Sequence, residues 1–364
     1  MFNDRNQSFV GYSRLEYKYY SNHTALELPI SQALIVIWTM YLFSVFGGHA
    51  ALLAAVISVS RKRISRIEVL IINLSIADLI FVTFSIFTMT PIATYSIYRH
   101  DPIFASNSIQ CRLLFAPVLL STCVGSIVMM TLAIIRYTKV SYPIYHRRWF
   151  TTIRFWIWLC FIWVIALGIT APPVVGFWGK LNYLQPFGVC HIPVDVAITR
   201  IDQSSFFIFF CIALYIAAYF ITGLCYFLLF CKARNVAFRT RVNPRVNQFP
   251  QSSSSSTAND SSAIQLTYKL TIILVIVFIG YSLSFGPLAF TIICSMFKLF
   301  HLSLLSYAIL FTIAYITSVI NPLLFILSNI RYQLALSAIW KKLCCRSKCY
   351  TYNIRKVTVR QRIG

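Results

Sequence analysis

The chain has 364 residues, 58% of them hydrophobic and 11% charged, far from the roughly 45–50% apolar and 25% charged residues of soluble domains. That balance excludes a soluble globular protein and places the chain in a membrane. The net charge of +23 does not read as a nucleic-acid footprint, because Lys and Arg fall almost entirely between or after apolar runs, where they report orientation.

Residues 1–31 form a polar tail without the apolar stretch of a signal peptide, so the first span is expected to serve as its own insertion signal. The tail carries Asn6-Gln7-Ser8 and Asn22-His23-Thr24, which make Asn6 and Asn22 glycosylation acceptors on an extracellular tail. Seven apolar runs follow, at about 33–59, 68–96, 109–135, 153–176, 205–231, 270–297 and 302–327. Each reaches the roughly 20 residues that cross a bilayer as helix, the form that satisfies its own backbone in lipid. Of the 32 Lys and Arg residues, 24 lie in 60–67, 136–154, 232–269 and 328–364. The positive-inside rule makes these segments cytoplasmic and the tail extracellular.

The serine-rich stretch of about 236–264, inside the long loop, is expected to be disordered. After the seventh run, 329–343 alternates apolar and basic residues at helical spacing, which fits an amphipathic helix lying along the inner membrane face. Residues 344–364 are a cytoplasmic tail that opens with Cys344 and Cys345, placed for palmitoylation. The expected fold class is therefore an all-α membrane protein, a seven-transmembrane helix bundle over 32–328 with a short amphipathic eighth helix. Of the eleven cysteines, Cys111 and Cys190 sit at the outer edges, on the oxidising side where disulfides persist.

Four stretches carry polar or helix-breaking residues that a plain lipid-facing helix does not need. The second span contains Asn73-Leu74-Ser75-Ile76-Ala77-Asp78-Leu79. A carboxylate at that depth must face the bundle interior and find partners. The third span ends Ile135-Arg136-Tyr137, continuing to Val140 and Pro143; the sixth holds Ser284-Phe285-Gly286-Pro287; the seventh ends Asn321-Pro322-Leu323-Leu324-Phe325. Pro287 and Pro322 each interrupt a helix ladder and leave a deformable point.

Together these stretches resemble the D/E-R-Y-x-x-V-x-x-P, N-L-x-x-A-D-L, C-W-x-P and N-P-x-x-Y signatures of rhodopsin-like (class A) G-protein-coupled receptors. Order, spacing and sidedness agree over about residues 30–345. The resemblance departs at named places. Ile135 replaces the acid before the arginine, and Thr267 stands where a second acid is expected at the foot of the sixth span. Phe325 replaces the tyrosine, Phe285 stands in place of the tryptophan, Ala218 replaces the fifth-span proline, and His49 occupies the first-span asparagine position. His49 reads either as a titratable partner of Asp78 or as a satisfied core histidine, the second preferred. Gly125 stands where a sodium site often has serine.

The resemblance implies that Arg136, Tyr137, Pro143 and Tyr226 engage a heterotrimeric G protein. It further implies that His49, Asp78, Phe285, Pro287, Ser318, Asn321, Pro322 and Phe325 form the activation network. It implies a Cys111–Cys190 disulfide, the spacing of Cys111 to Arg136 being the family's. A ligand pocket is implied among the outer helix halves near Val118, Phe285 and Tyr315, for a small or apolar extracellular ligand. The loop Pro172-Pro173-Val174-Val175-Gly176-Phe177-Trp178 is most similar to the opsin and melatonin-receptor branches. An opsin carries its retinal-binding lysine six residues before the seventh-span asparagine, where this chain has Tyr315, so no Schiff base can form. Val118 stands where amine receptors carry aspartate. Neither a metal nor a cofactor is expected, nor is enzymatic activity or a nucleic-acid partner; arrestin and membrane lipid are expected as further partners. The alternative class is a seven-helix transporter or proton channel using Asp78 and His49 as relay groups. With no acid beside Arg136, raised basal signalling is expected.

Overall fold

The computed structural model describes residues 28–60, 64–85, 109–177, 182–184, 189–191, 203–242, 304–344 and, between 272 and 294, positions 272, 275–276, 278–291 and 293–294. The expected glycosylation sites Asn6 and Asn22, Thr267, Cys345 and the loop beyond Val242 lie outside them, as do the side chains of Cys111, Cys190 and Cys344.

The span helices run Leu28–Val59, Arg66–Val82, Ile109–Ser141, Thr152–Val175, Gln203–Val242 and Leu304–Ser328, and 278–291 of the sixth is helical. Five of the described helices are long and apolar enough to cross a bilayer. The fifth extends to Val242, into the basic segment that the sequence assigns to a loop. A short helix, Pro143–Trp149, follows the third span with Pro143 in its first turn, where a missing N–H costs nothing. After Ser328 the chain turns by 100° into Ile330–Cys344. Asn329 starts that helix, its side-chain oxygen accepting from the Arg331 amide at 3.1 Å.

The third span is the centre of the packing. It lies against the second, fourth and fifth spans, while the seventh packs on the first and second, and the amphipathic helix on the first. Leu70, Leu74, Val124, Val128, Leu132, Ile135, Leu159 and Phe325 share one buried cluster, so residues from four spans meet around the middle of the third. Hydroxyls inside the bundle turn back on their own helices: Thr122, Ser126, Thr131, Thr170, Thr222, Ser282 and Ser284 each bond to the carbonyl four residues earlier. In hydrocarbon this satisfies a donor that has no water to turn to.

Longer polar contacts tie spans together. Trp163 Nε1 donates to Asn73 Oδ1 at 3.1 Å, Trp158 Nε1 to Thr131 Oγ1 at 3.1 Å, and Trp38 Nε1 to Thr312 Oγ1 at 2.9 Å. The fourth span ends at Gly176 with φ 80°, its N–H bonded to the Pro172 carbonyl. A side chain there would meet the left-handed backbone penalty and also strike the Arg112 guanidinium, 2.7 Å from the Cβ position. Arg112 in turn donates to the Val174 and Val175 carbonyls, joining the outer ends of the third and fourth spans.

Beyond Gly176 the described chain leaves helix for one antiparallel hairpin. Strand β1 (Asn182–Leu184) pairs with β2 (Val189–His191) in the register Asn182 to His191, Tyr183 to Cys190 and Leu184 to Val189. Both strands pack against the third-span helix, which begins two residues before Cys111.

Candidate functional site

Three layers of the bundle hold the residues singled out by sequence. The middle layer is polar. Asn321 Nδ2 donates to Asp78 Oδ2 at 3.0 Å. His49, 1% exposed, places Nε2 at 3.2 Å from the Ser318 carbonyl and 3.7 Å from Asp78 Oδ2. A carbonyl only accepts, so Nε2 carries the proton and Nδ1 is left as an acceptor. Among the described residues Nδ1 has no partner. His49 is thus engaged through one nitrogen only, Nε2, which faces both the Ser318 carbonyl and Asp78. Gly48 makes the approach possible: a Cβ there would lie 2.9 Å from Pro322 Cγ.

Toward the outside, Val118, Tyr315, Phe81 and Phe115 form one buried cluster with Phe285 packed against it. Ring centroids are 5.7 Å apart for Phe81 and Tyr315, 6.2 Å for Phe81 and Phe285, and 4.9 Å for Tyr281 and Phe285. These aromatic pairs connect the second, sixth and seventh spans beside Pro287. The three sequence-expected pocket residues are therefore in one place; Phe81 and Tyr281 join them without having been expected. On the inner side of Phe285, the Tyr215 hydroxyl donates to the Tyr281 hydroxyl at 3.0 Å, and the Tyr219 hydroxyl reaches Ser282. Tyr215, Tyr219 and Tyr281 line a small pocket together with Ser126, Met129 and Thr222.

The inner layer is built around the half-buried Arg136. Ile135, 2% exposed, points into the apolar cluster with Leu70 and Leu74, so its place is taken up by packing. Tyr226, 2% exposed, and Tyr332, 3% exposed, are buried against the neighbours of Arg136 in the third span, Tyr226 with Ala133, Ile134 and Tyr137 and Tyr332 in one cluster with Ile135. Tyr137 is half-buried and edge-on to Tyr142, centroids 6.0 Å apart. Lys232 donates to the Val140 and Ser141 carbonyls at 3.2 Å each, a cation on the negative end of the third-span helix. In the short helix, burial and the charges of Lys139 and Arg66 hold the His146 imidazole below its ordinary value. The Thr138 hydroxyl has its proton on the Ile134 carbonyl at 2.8 Å, so His146 Nδ1 is the donor in their 3.2 Å contact.

Tyr332 comes from the amphipathic helix, and its hydroxyl faces Glu68 Oε1 at 3.5 Å. Burial first, then the Glu68 charge, push the Tyr332 phenol up to about 12. Sequence motifs pass over both residues. The signal for Glu68 was present in Ser65-x-x-Glu68, a capping box in which Ser65 Oγ accepts from the Glu68 amide and Glu68 Oε2 accepts from the Ser65 amide at 2.6 Å.

A bundle of membrane-spanning helices around a buried Asp–Asn–His contact, with an arginine at the inner end of its central helix, defines a seven-helix membrane receptor fold. The model of the 7 transmembrane receptor (rhodopsin family) matches residues 49–325, and the chain belongs to that family. A solved structure of squid rhodopsin superposes with a TM-score of 0.69 over 89% of each chain, at 18% identity. Rhodopsin of Petromyzon marinus is 23% identical over 84% of this chain and 79% of its own length. Proteinase-activated receptor 1 of Xenopus laevis is 24% identical over 50% of this chain, and the match spans 42% of that receptor. The annetocin receptor of Eisenia fetida is 30% identical over 36% of this chain and 30% of its own length.

Proposed function

We propose that the chain is a plasma-membrane receptor, tail outside and amphipathic helix inside, that converts binding of an extracellular ligand into activation of a heterotrimeric G protein. The observation that carries this is the Arg136 layer: a half-buried guanidinium at the inner end of the central helix, with Tyr226 and Tyr332 buried against its neighbours in that helix. It is connected through the third span to the aromatic cluster of Val118, Phe285 and Tyr315. A ligand that displaces those rings moves the sixth and seventh spans at Pro287 and Pro322, where the helix ladder is already interrupted. The apolar lining favours a small or apolar ligand. Tyr315 has no amine, so retinal is not held as a Schiff base. Because no acid precedes Arg136, ligand-independent signalling is expected to exceed that of an Ile135→Glu variant.

Family membership favours this reading over a transporter or proton channel, as does the Asp78 carboxylate being engaged by Asn321 rather than facing a second acid. The test is a second-messenger screen of the full chain at matched surface expression against a library of small apolar and amphipathic compounds. A compound that shifts the signal in wild type and not in Val118→Trp supports the pocket. A response unaffected by that change places the ligand elsewhere.

A further inference from the structure

The nine carboxylates of the chain are distributed unevenly. By the charge-based orientation only Glu68 and Asp260 lie on the cytoplasmic side, against 24 Lys and Arg residues. Asp260 lies outside the described residues, so Glu68 is the single carboxylate of the described inner end, and it stands at the entrance of the second span within reach of Tyr332. Its two oxygens are divided. Oε2 closes the capping box on the Ser65 amide, and this fixes the side chain so that Oε1 faces the Tyr332 hydroxyl. Tyr332 is held from its own side, in the first turn of a helix whose start is fixed by Asn329, with its backbone N–H on the Asn329 carbonyl at 2.9 Å. Its ring is buried in the same cluster as Ile135 and Phe325. The seventh span thus has no hydroxyl at 325, and one is brought to the same cluster by the next helix.

We infer that Glu68 is the carboxylate that restrains Arg136, acting through the Tyr332 hydroxyl in place of the acid that Ile135 does not supply. The order of groups gives the reason. The Tyr332 hydroxyl donates toward the Glu68 carboxylate, which raises the negative charge on its oxygen, and its ring lies in the buried cluster of Ile135, the residue before Arg136. The carboxylate and the hydroxyl tie the second span to the amphipathic helix, and the place of Tyr332 in the buried cluster with Ile135 carries that tie to the Arg136 end of the third span. The 3.5 Å separation is long for an O–H···O bond, which suits a contact that must open when a partner enters the inner end. Glu68 is a positioning residue here, and its role rests on the receptor reading given above.

The experiment uses the full chain in lipid nanodiscs, comparing wild type with Tyr332→Phe, Glu68→Gln, the double variant, Ser65→Ala and Arg136→Ala. Two readouts are taken: ligand-independent nucleotide exchange on purified heterotrimeric G proteins, and amide hydrogen exchange of residues 330–342. One hydrogen bond to a charged group corresponds to roughly tenfold in an equilibrium. Tyr332→Phe and Glu68→Gln are therefore each expected to raise basal exchange by about that factor. The double variant is expected to match the single ones, because both remove the same contact. Ser65→Ala perturbs the cap but leaves the latch, and is expected to match wild type. Effects of the two single variants that multiply, or a rise with Ser65→Ala equal to that with Glu68→Gln, overturn the inference. If wild type and Arg136→Ala are equally silent on every G protein, the receptor reading fails, and the latch is decided by amide exchange alone. Faster exchange at 330–342 in both Tyr332→Phe and Glu68→Gln supports it, and unchanged exchange in either one rejects it.

Discussion

Gly48→Ala is a single added carbon at the contact that brings the first span onto the seventh. The new Cβ would lie 2.9 Å from Pro322 Cγ and 3.6 Å from Pro322 Cβ, while apolar carbons settle at about 3.5–4.0 Å. The struck atom belongs to a ring fixed to its own backbone, so it cannot rotate away, and the two helices must part by several tenths of an ångström. His49 follows the separation, since its contact to the Ser318 carbonyl crosses the same seam, and Asn321, bonded to Asp78 of the second span, sits on the helix that is displaced. Overpacking of this kind costs about 1–3 kcal/mol, offset by the roughly 0.5–1 kcal/mol that alanine gains over glycine inside a helix. Gly47, the preceding residue, has nothing within 4 Å of its Cβ position, so Gly47→Ala carries the gain without the clash. Thermal melting of both purified variants separates the terms. At about 2–4 °C per kcal/mol for a chain of this size, Gly48→Ala is expected to melt several degrees below Gly47→Ala. Equal melting temperatures, or a higher one for Gly48→Ala, would refute the close approach of Gly48 to Pro322.

Trp163→Phe removes the donor to Asn73 Oδ1 and is expected to destabilise the fold by about 1–3 kcal/mol, read as a lower melting temperature that Asn73→Leu in the same background does not lower further. Cys111 and Cys190 are expected to form a disulfide, since β2, which carries Cys190, lies against the helix that carries Cys111; a peptide map of the non-reduced protein showing both as free thiols rejects it. Ile135→Glu is expected to lower basal second-messenger output by about tenfold, because Arg136 then has a carboxylate partner beside it. Ile135 is buried among apolar side chains, so Ile135→Gln is the control for packing, and equal effects of Glu and Gln would show that charge is not the cause.

The bundle was legible because the bilayer imposes a length and an apolar character that a window of sequence displays directly. The Asp78–Asn321 contact was legible through motifs alone, for nothing in composition joins residues 243 apart. The end of the fifth span was misread: Lys232, Arg234, Arg239 and Arg241 mark where the membrane stops, yet Lys and Arg are good helix formers, and the helix continues to Val242. The Glu68–Tyr332 contact was hidden for another reason. It depends on the 100° turn after Ser328 that carries Tyr332 back beneath the second span, a geometry set by packing of the amphipathic helix on the first span. Trp163 lies in the fourth apolar run, but its bond to Asn73 joins residues 90 apart in the chain and is visible only in the fold.

The most direct test of the central claim is guanine-nucleotide exchange on a panel of purified heterotrimeric G proteins, with wild type and Arg136→Ala in nanodiscs at equal amounts of folded protein. The account predicts exchange above the receptor-free rate for at least one G protein with wild type, and the receptor-free rate with Arg136→Ala. Equal exchange by the two proteins, at any rate above that without receptor, would contradict it.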